Sequence, residues 1–168
     1  GRPLRKASDL WPRAGRVLIA ERLWLKTQRL VSVYVDTPVL SNVWWPFNQG
    51  GENEGKPLAI WLNSTLGLLI LWAEREETRG AWVDFKKPVL TGMPVLDLSA
   101  LSSVQKDAMA AAYDQLCQSP LLPFPQMAQD PVRRDIDKAI AQVLGLPDFS
   151  VLRDLLAQEP VVCLKPLS

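Results

Sequence analysis

The stretch Lys56–Glu77 (KPLAIWLNSTLGLLILWAEREE) constrains this chain more than any other. Set on a helix, Leu58, Trp61, Leu62, Leu66, Leu69 and Trp72 follow steps of three and four residues, while Ile60, Leu68, Ile70 and Leu71 fill much of the remaining circumference. A helix that is apolar all round must be covered by other elements, so the stretch predicts a buried central helix. Its apolar run is interrupted by Asn63, Ser64, Thr65 and Gly67 and is shorter than the roughly 20 residues of a bilayer span, so no membrane segment is expected. Pro57 suits the first turn, where its missing N–H costs nothing, and Arg75, with Arg79 just beyond, sits where a cation complements the helix dipole. Asn63, Ser64 and Gly67 form a narrow polar stripe, expected to meet another backbone through satisfied hydrogen bonds.

The segments around this helix predict an α+β chain: a small sheet packed on the buried helix, followed by a helical C-terminal part. Residues 1–14 hold prolines and basic residues and read as a linker-like segment with little regular structure. Residues 15–98 form the expected α+β core. Arg16–Leu25 and Leu30–Val35 are β-rich and separated by a polar turn, which predicts two strands, the second with a buried face of Val31, Val33 and Val35. Asp36-Thr37-Pro38 predicts a break, Val39–Phe47 a further strand ended by Pro46, and Ala81–Lys86 another. Residues 48–55, with three glycines and no apolar side chain, predict a mobile surface loop, and residues 87–97 an irregular stretch.

Residues 99–168 form the expected helical part. A helix capped by Ser99 or Ser102 should run to about Gln118 with Leu101, Val104, Ala108, Ala111, Ala112 and Leu116 on one side. A second should start at Asp130-Pro131 and end at Leu144-Gly145, and a third should span about Phe149–Gln158.

The chain carries few of the residue patterns that catalysis uses. The chain has no histidine, which removes the commonest general base and every Ser–His or Cys–His arrangement. Phosphate-cradling glycine loops, zinc-hydrolase motifs and nucleophile elbows are missing, so no catalytic residue and no metal site is expected. Cys117 and Cys163 lie far apart, without the spacing of a disulfide framework or a zinc knuckle, which predicts a reduced, cytoplasmic setting. The first residue is Gly, and a longer parent protein is expected.

Net charge is +1, so any polyanion contact must come from local charge. Residues 1–29 carry eight basic residues against Asp9 and Glu21, with Arg22, Lys26 and Arg29 nearest the core. A second group, Arg75, Arg79, Lys86 and Lys87, flanks the turn after the central helix. Seven tryptophans are many for 168 residues, and Trp44 and Trp45, as neighbours on a strand, must face opposite sides, which predicts one exposed indole. An exposed Trp44 beside Asn42 could stack on a base, a sugar or a protein partner, while Asn48, Gln49 and Asn53 add amides suited to base edges.

Three stretches then fall into a familiar order: KPLAIWLNSTLG, TRGAWVDFKKPVLTGMPVLD and RRDIDKAIAQVLGL. Together they resemble the region that follows the catalytic domain in N6-adenine DNA methyltransferases of restriction–modification type. The resemblance rests on Leu62-Asn63-Ser64, on the passage from Lys87 to Val95, and on the Ile136-Asp137 step with Leu144-Gly145-Leu146. It implies a non-catalytic target-recognition module that holds duplex DNA while a separate methyltransferase domain, in the same chain or a subunit, uses S-adenosylmethionine. The family's Asn-Pro-Pro-aromatic motif and its glycine-rich cofactor loop are missing from these residues, so neither methyl transfer nor cofactor binding is assigned to them.

Overall fold

The computed structural model describes residues 6–27, 29–48, 50–51, 53–77 and 82–163. It has the expected α+β class, with two small sheets in place of one. β1 (Gly15–Ala20), β3 (Ser32–Val39) and β4 (Trp44–Phe47) form an antiparallel sheet in the order β3-β1-β4, and β2 (Arg22–Trp24), β5 (Glu76–Glu77) and β6 (Trp82–Asp84) form a second in the order β2-β6-β5.

The expected strand over 16–25 therefore divides. At Glu21 the chain leaves the first sheet and enters the second: its N–H donates to Val43 O at 3.3 Å and its carbonyl accepts from Phe85 N at 2.8 Å. β3 runs straight through Thr37 and Pro38, and Pro46 lies within β4 opposite Leu18. Both prolines sit on edge strands, where a missing donor interrupts no ladder. The valine face of β3 is only partly covered, since Val33 and Val35 are half-buried. The helices instead meet Ser32, whose carbonyl accepts from Asn63 Nδ2 at 2.7 Å, and Tyr34, whose ring meets Tyr113 edge-on.

The central apolar stretch is buried as expected, but it is two helices. α2 follows a short N-terminal helix, α1 (Ala7–Leu10), and spans Gly55–Asn63; α3 spans Thr65–Ala73, and the two are bent by 74°. Among the described residues, no single helix is long and apolar enough to cross a membrane. Ser64 stops one helix and starts the other: its hydroxyl donates to Trp61 O at 2.6 Å and accepts from Gly67 N at 3.3 Å. Gly67 makes the corner possible, because a Cβ there would lie 2.7 Å from Leu62 Cα. Every residue from Pro57 to Asn63 is buried, and α3 adds Leu68, Leu71 and Trp72 to the same core. At about 1.5–3 kcal/mol for each large apolar side chain removed from water, this pair of helices is the main source of apolar stabilisation.

The C-terminal part wraps that core. α4 (Lys87–Gly92) occupies part of the stretch expected to be irregular, α5 (Ser103–Leu116) begins with a reciprocal cap between Ser102 and Gln105, and α6 (Pro131–Leu144) is capped by Asp130 and ends at Gly145 with φ 64°. α7 (Ser150–Gln158) and α8 (Pro160–Cys163) follow as the last described elements. In α5 the inward residues are Met109, Ala112, Tyr113 and Leu116; Val104, Ala108 and Ala111 face solvent, contrary to expectation. Tyr113 decides the rotation by placing its hydroxyl between Tyr34 N and Tyr34 O. The N-terminal segment carries helical turns at Ala7–Leu10 and Trp11–Arg13 where none was expected.

Candidate nucleic-acid interface

Two triplets in the sequence mirror each other: Arg22-Leu23-Trp24 and Trp82-Val83-Asp84. Antiparallel pairing sets Arg22 opposite Asp84, Leu23 opposite Val83 and Trp24 opposite Trp82. Paired residues share a face and neighbours alternate, so Leu23 and Val83 go inward, both fully buried, while Arg22, Trp24, Trp82 and Asp84 share the outer face. Glu76 of β5 pairs with Asp84 and belongs to that face as well.

On this outer face the Arg22 guanidinium makes a two-bond pair with the Asp84 carboxylate, Nε to Oδ1 at 2.5 Å and Nη2 to Oδ2 at 3.0 Å. It also lies 5.6 Å from the centroid of the Trp82 ring. The indoles of Trp24 and Trp82 are 4.7 Å apart at 45°, and Trp24 is 42% exposed. Lys86 pairs with Glu76, and Lys87 lies 6.0 Å from the ring of Trp45. Trp45 in turn is anchored through Nε1 to Phe85 O at 3.0 Å. Lys26, exposed, lies two residues past the end of β2. Four of the sequence-predicted cations, Arg22, Lys26, Lys86 and Lys87, are thus carried by or next to the second sheet, because β2 brings the basic N-terminal region against the strand that leads to Lys86.

The other described candidates do not belong to that outer face. Arg75 is half-buried: it donates to Trp72 O at 2.7 Å, which satisfies the end of α3, and pairs with Glu159 at 3.0 Å. Arg29 is exposed, and its carbonyl accepts from the buried guanidinium of Arg133. Asn42 is exposed between β3 and β4. Trp44 is half-buried and packs against the core, so neither it nor Trp45 is the exposed indole expected of that pair. Asn48 donates to Pro12 O at 2.9 Å, and Asn53 is exposed. Gln49 and Arg79 lie outside the described residues.

The loop leading to α2 borders a cavity of about 670 Å³ whose walls include Asn48, Glu54, Tyr34, Phe47 and Asp97. Glu54 accepts from Gly51 N at 2.8 Å and pairs with Lys106 at 2.7 Å. Those bonds, the one from Lys106 first, hold its carboxyl below the usual range.

Of the stretches behind the resemblance, the Asn63-Ser64 and Ile136-Asp137 steps meet in the interior, while the passage from Lys87 to Val95 and the Gly145-Leu146 step are largely at the surface. Asn63 accepts from Val31 N at 3.0 Å and donates to Ser32 O and Ala59 O. Asp137 accepts from Thr65 N and Thr65 Oγ1, each at 2.7 Å, and from Arg153 at 3.0 Å. Burial pushes the Asp137 carboxyl up, against the opposing pull of those bonds. The Asn-Ser step and the Ile-Asp step therefore form one buried junction that joins α2, α3, α6 and α7, and they are placed to hold the scaffold.

Reading the cations as two groups along the chain missed Trp24, Trp82 and Asp84. The signal was present in the mirrored triplets, which are legible once β2 and β6 are taken as partners. Compared with protein-family models, with curated proteins and with solved structures, the chain finds no match.

Proposed function

We propose that this chain is a non-catalytic DNA-recognition module, with the outer face of the β2-β6-β5 sheet as its contact surface, serving a separate methyltransferase domain that uses S-adenosylmethionine. The observation that carries the reading is the mixing of guanidinium and ammonium groups with indole rings on and beside one small sheet. Lysines neutralise phosphates, a fixed guanidinium suits base edges, and the exposed indole of Trp24 supplies stacking area.

Titration of labelled duplex DNA with the chain at rising salt tests the proposal. The logarithm of the affinity should fall linearly with the logarithm of salt concentration, by about 0.9 for each phosphate neutralised. K86A/K87A should lower that slope by about 2. No binding at about 50 mM salt, or binding indifferent to salt, would remove the proposal.

A second reading has its own support. Val151, Leu152 and Leu155 of α7 are exposed, as are Val104 of α5 and Leu146, which suits a module that docks the methyltransferase domain through its C-terminal helices. Capture of that domain without any affinity for DNA would favour it.

A further inference from the structure

We infer that Arg22 reads guanine, with Asp84 and Trp82 as the positioning residues that aim it; the inference rests on the DNA-recognition reading and extends it to one side chain and one base. A guanidinium presents two parallel N–H bonds along a side edge, Nε with Nη2, and another two along an end edge, Nη1 with Nη2. In Arg22 the side edge is occupied: both of its bonds go to Asp84, at 2.5 and 3.0 Å. Asp84 cannot drift, since β6 is the middle strand and Asp84 is paired with Arg22 on one side and Glu76 on the other. The Trp82 ring, itself packed on Trp24, bounds the guanidinium from a second direction. The end edge is directed away from the carboxylate, on a side chain that is 57% exposed.

Two acceptors could engage that edge, a phosphate or the O6/N7 pair of guanine. The Asp84 carboxylate decides between them. A phosphate at the end edge would meet a guanidinium whose charge is already balanced and would be repelled by the carboxylate behind it, whereas the edge of a neutral base suffers no such repulsion. The pair also holds the long side chain in one orientation before any ligand arrives, so less rotamer freedom is lost on contact. Lys26 and Lys87, with no carboxylate partner among the described residues, have the opposite character, while Lys86 shares its charge with Glu76. The face thus divides its work: the lysines position the duplex and Arg22 selects within it.

The test is selection of binding sites from a pool of random duplexes by the wild-type chain, R22K and D84N. The wild type should enrich a site with one dominant guanine, and R22K should keep comparable affinity for random duplex while losing about 10- to 100-fold of its preference at that position. D84N, which frees the guanidinium to turn, should reduce the same preference and raise binding to random duplex. A readout that needs no variant is 7-deazaguanine, which replaces the N7 acceptor by C–H. Placed at the selected position, it should weaken the wild type and leave R22K unchanged. If R22K weakens all sequences by one common factor, or if 7-deazaguanine has no effect on the wild type, the inference fails and the DNA-recognition reading stands. If the wild type binds no duplex, both fail.

Discussion

Two arginine–aspartate pairs of the same chemistry sit at opposite extremes of this molecule. Arg153 and Asp137 are buried, with side chains 5% and 6% exposed, and join α6 and α7 to the start of α3. Arg22 and Asp84 lie on the outer sheet, with side chains 57% and 18% exposed. In the interior, neither charge can be solvated by water, so each depends on the other and on Thr65. On the surface, water and salt screen the attraction, and the pair contributes orientation more than stability. Identical partners therefore do structural work in one place and, among the described residues, leave a donor edge open in the other.

Breaking the buried pair should have the largest effect. D137A leaves the Arg153 charge without its partner and uncaps Thr65 N, and should cost about 3–5 kcal/mol in a urea unfolding titration. A loss below about 1 kcal/mol would mean that water reaches the junction.

A pH titration sharpens the contrast further. Burial raises the folded-state pKa of Asp137 above its ordinary 3.8, so its contribution to stability is full below the unfolded value and is lost as pH rises through the folded value. Glu54, Asp97 and Asp148 run the other way. Hydrogen bonds from Lys106, Ser99 and Ser150 lower their pKa, so their contributions are present above the unfolded values and are lost as pH falls through the folded ones. D137N removes the first dependence and keeps the second. As pH rises from the ordinary carboxyl value of 3.8 the wild type should lose stability relative to D137N, and parallel profiles would show that burial does not raise the Asp137 carboxyl.

The smallest effect on stability is expected at the surface pair. D84A should leave the thermal unfolding curve close to that of the wild type, because Arg22 returns to water when its partner is removed. A clear drop in melting temperature would place this pair with the buried one.

What could be read from the sequence depended on how far away each element's partners lie. The start and end of α6 were legible because Asp130, Pro131 and Gly145 act within a turn of the residues they cap, and the start of α5 was legible to within the choice between Ser99 and Ser102, which Gln105 decides for Ser102. The corner at Ser64 was not, because the donor freed at Thr65 is satisfied by Asp137, which is 72 residues away. The inward face of α5 was misjudged for a related reason: alanines give a weak periodicity, and the choice was made by a hydrogen bond from Tyr113 to Tyr34 across 79 residues. At the candidate interface the cations were legible as residue types. Their grouping was not, since it depends on β2 leaving one sheet for the other at Glu21.

That crossing has a mechanical consequence. Because a single residue separates β1 from β2, and its two peptide groups are tied to Val43 on one side and Phe85 on the other, a load applied to the outer sheet is passed along covalent backbone into the strand at the middle of the inner one. The outer sheet is thereby braced against tilting relative to the inner one.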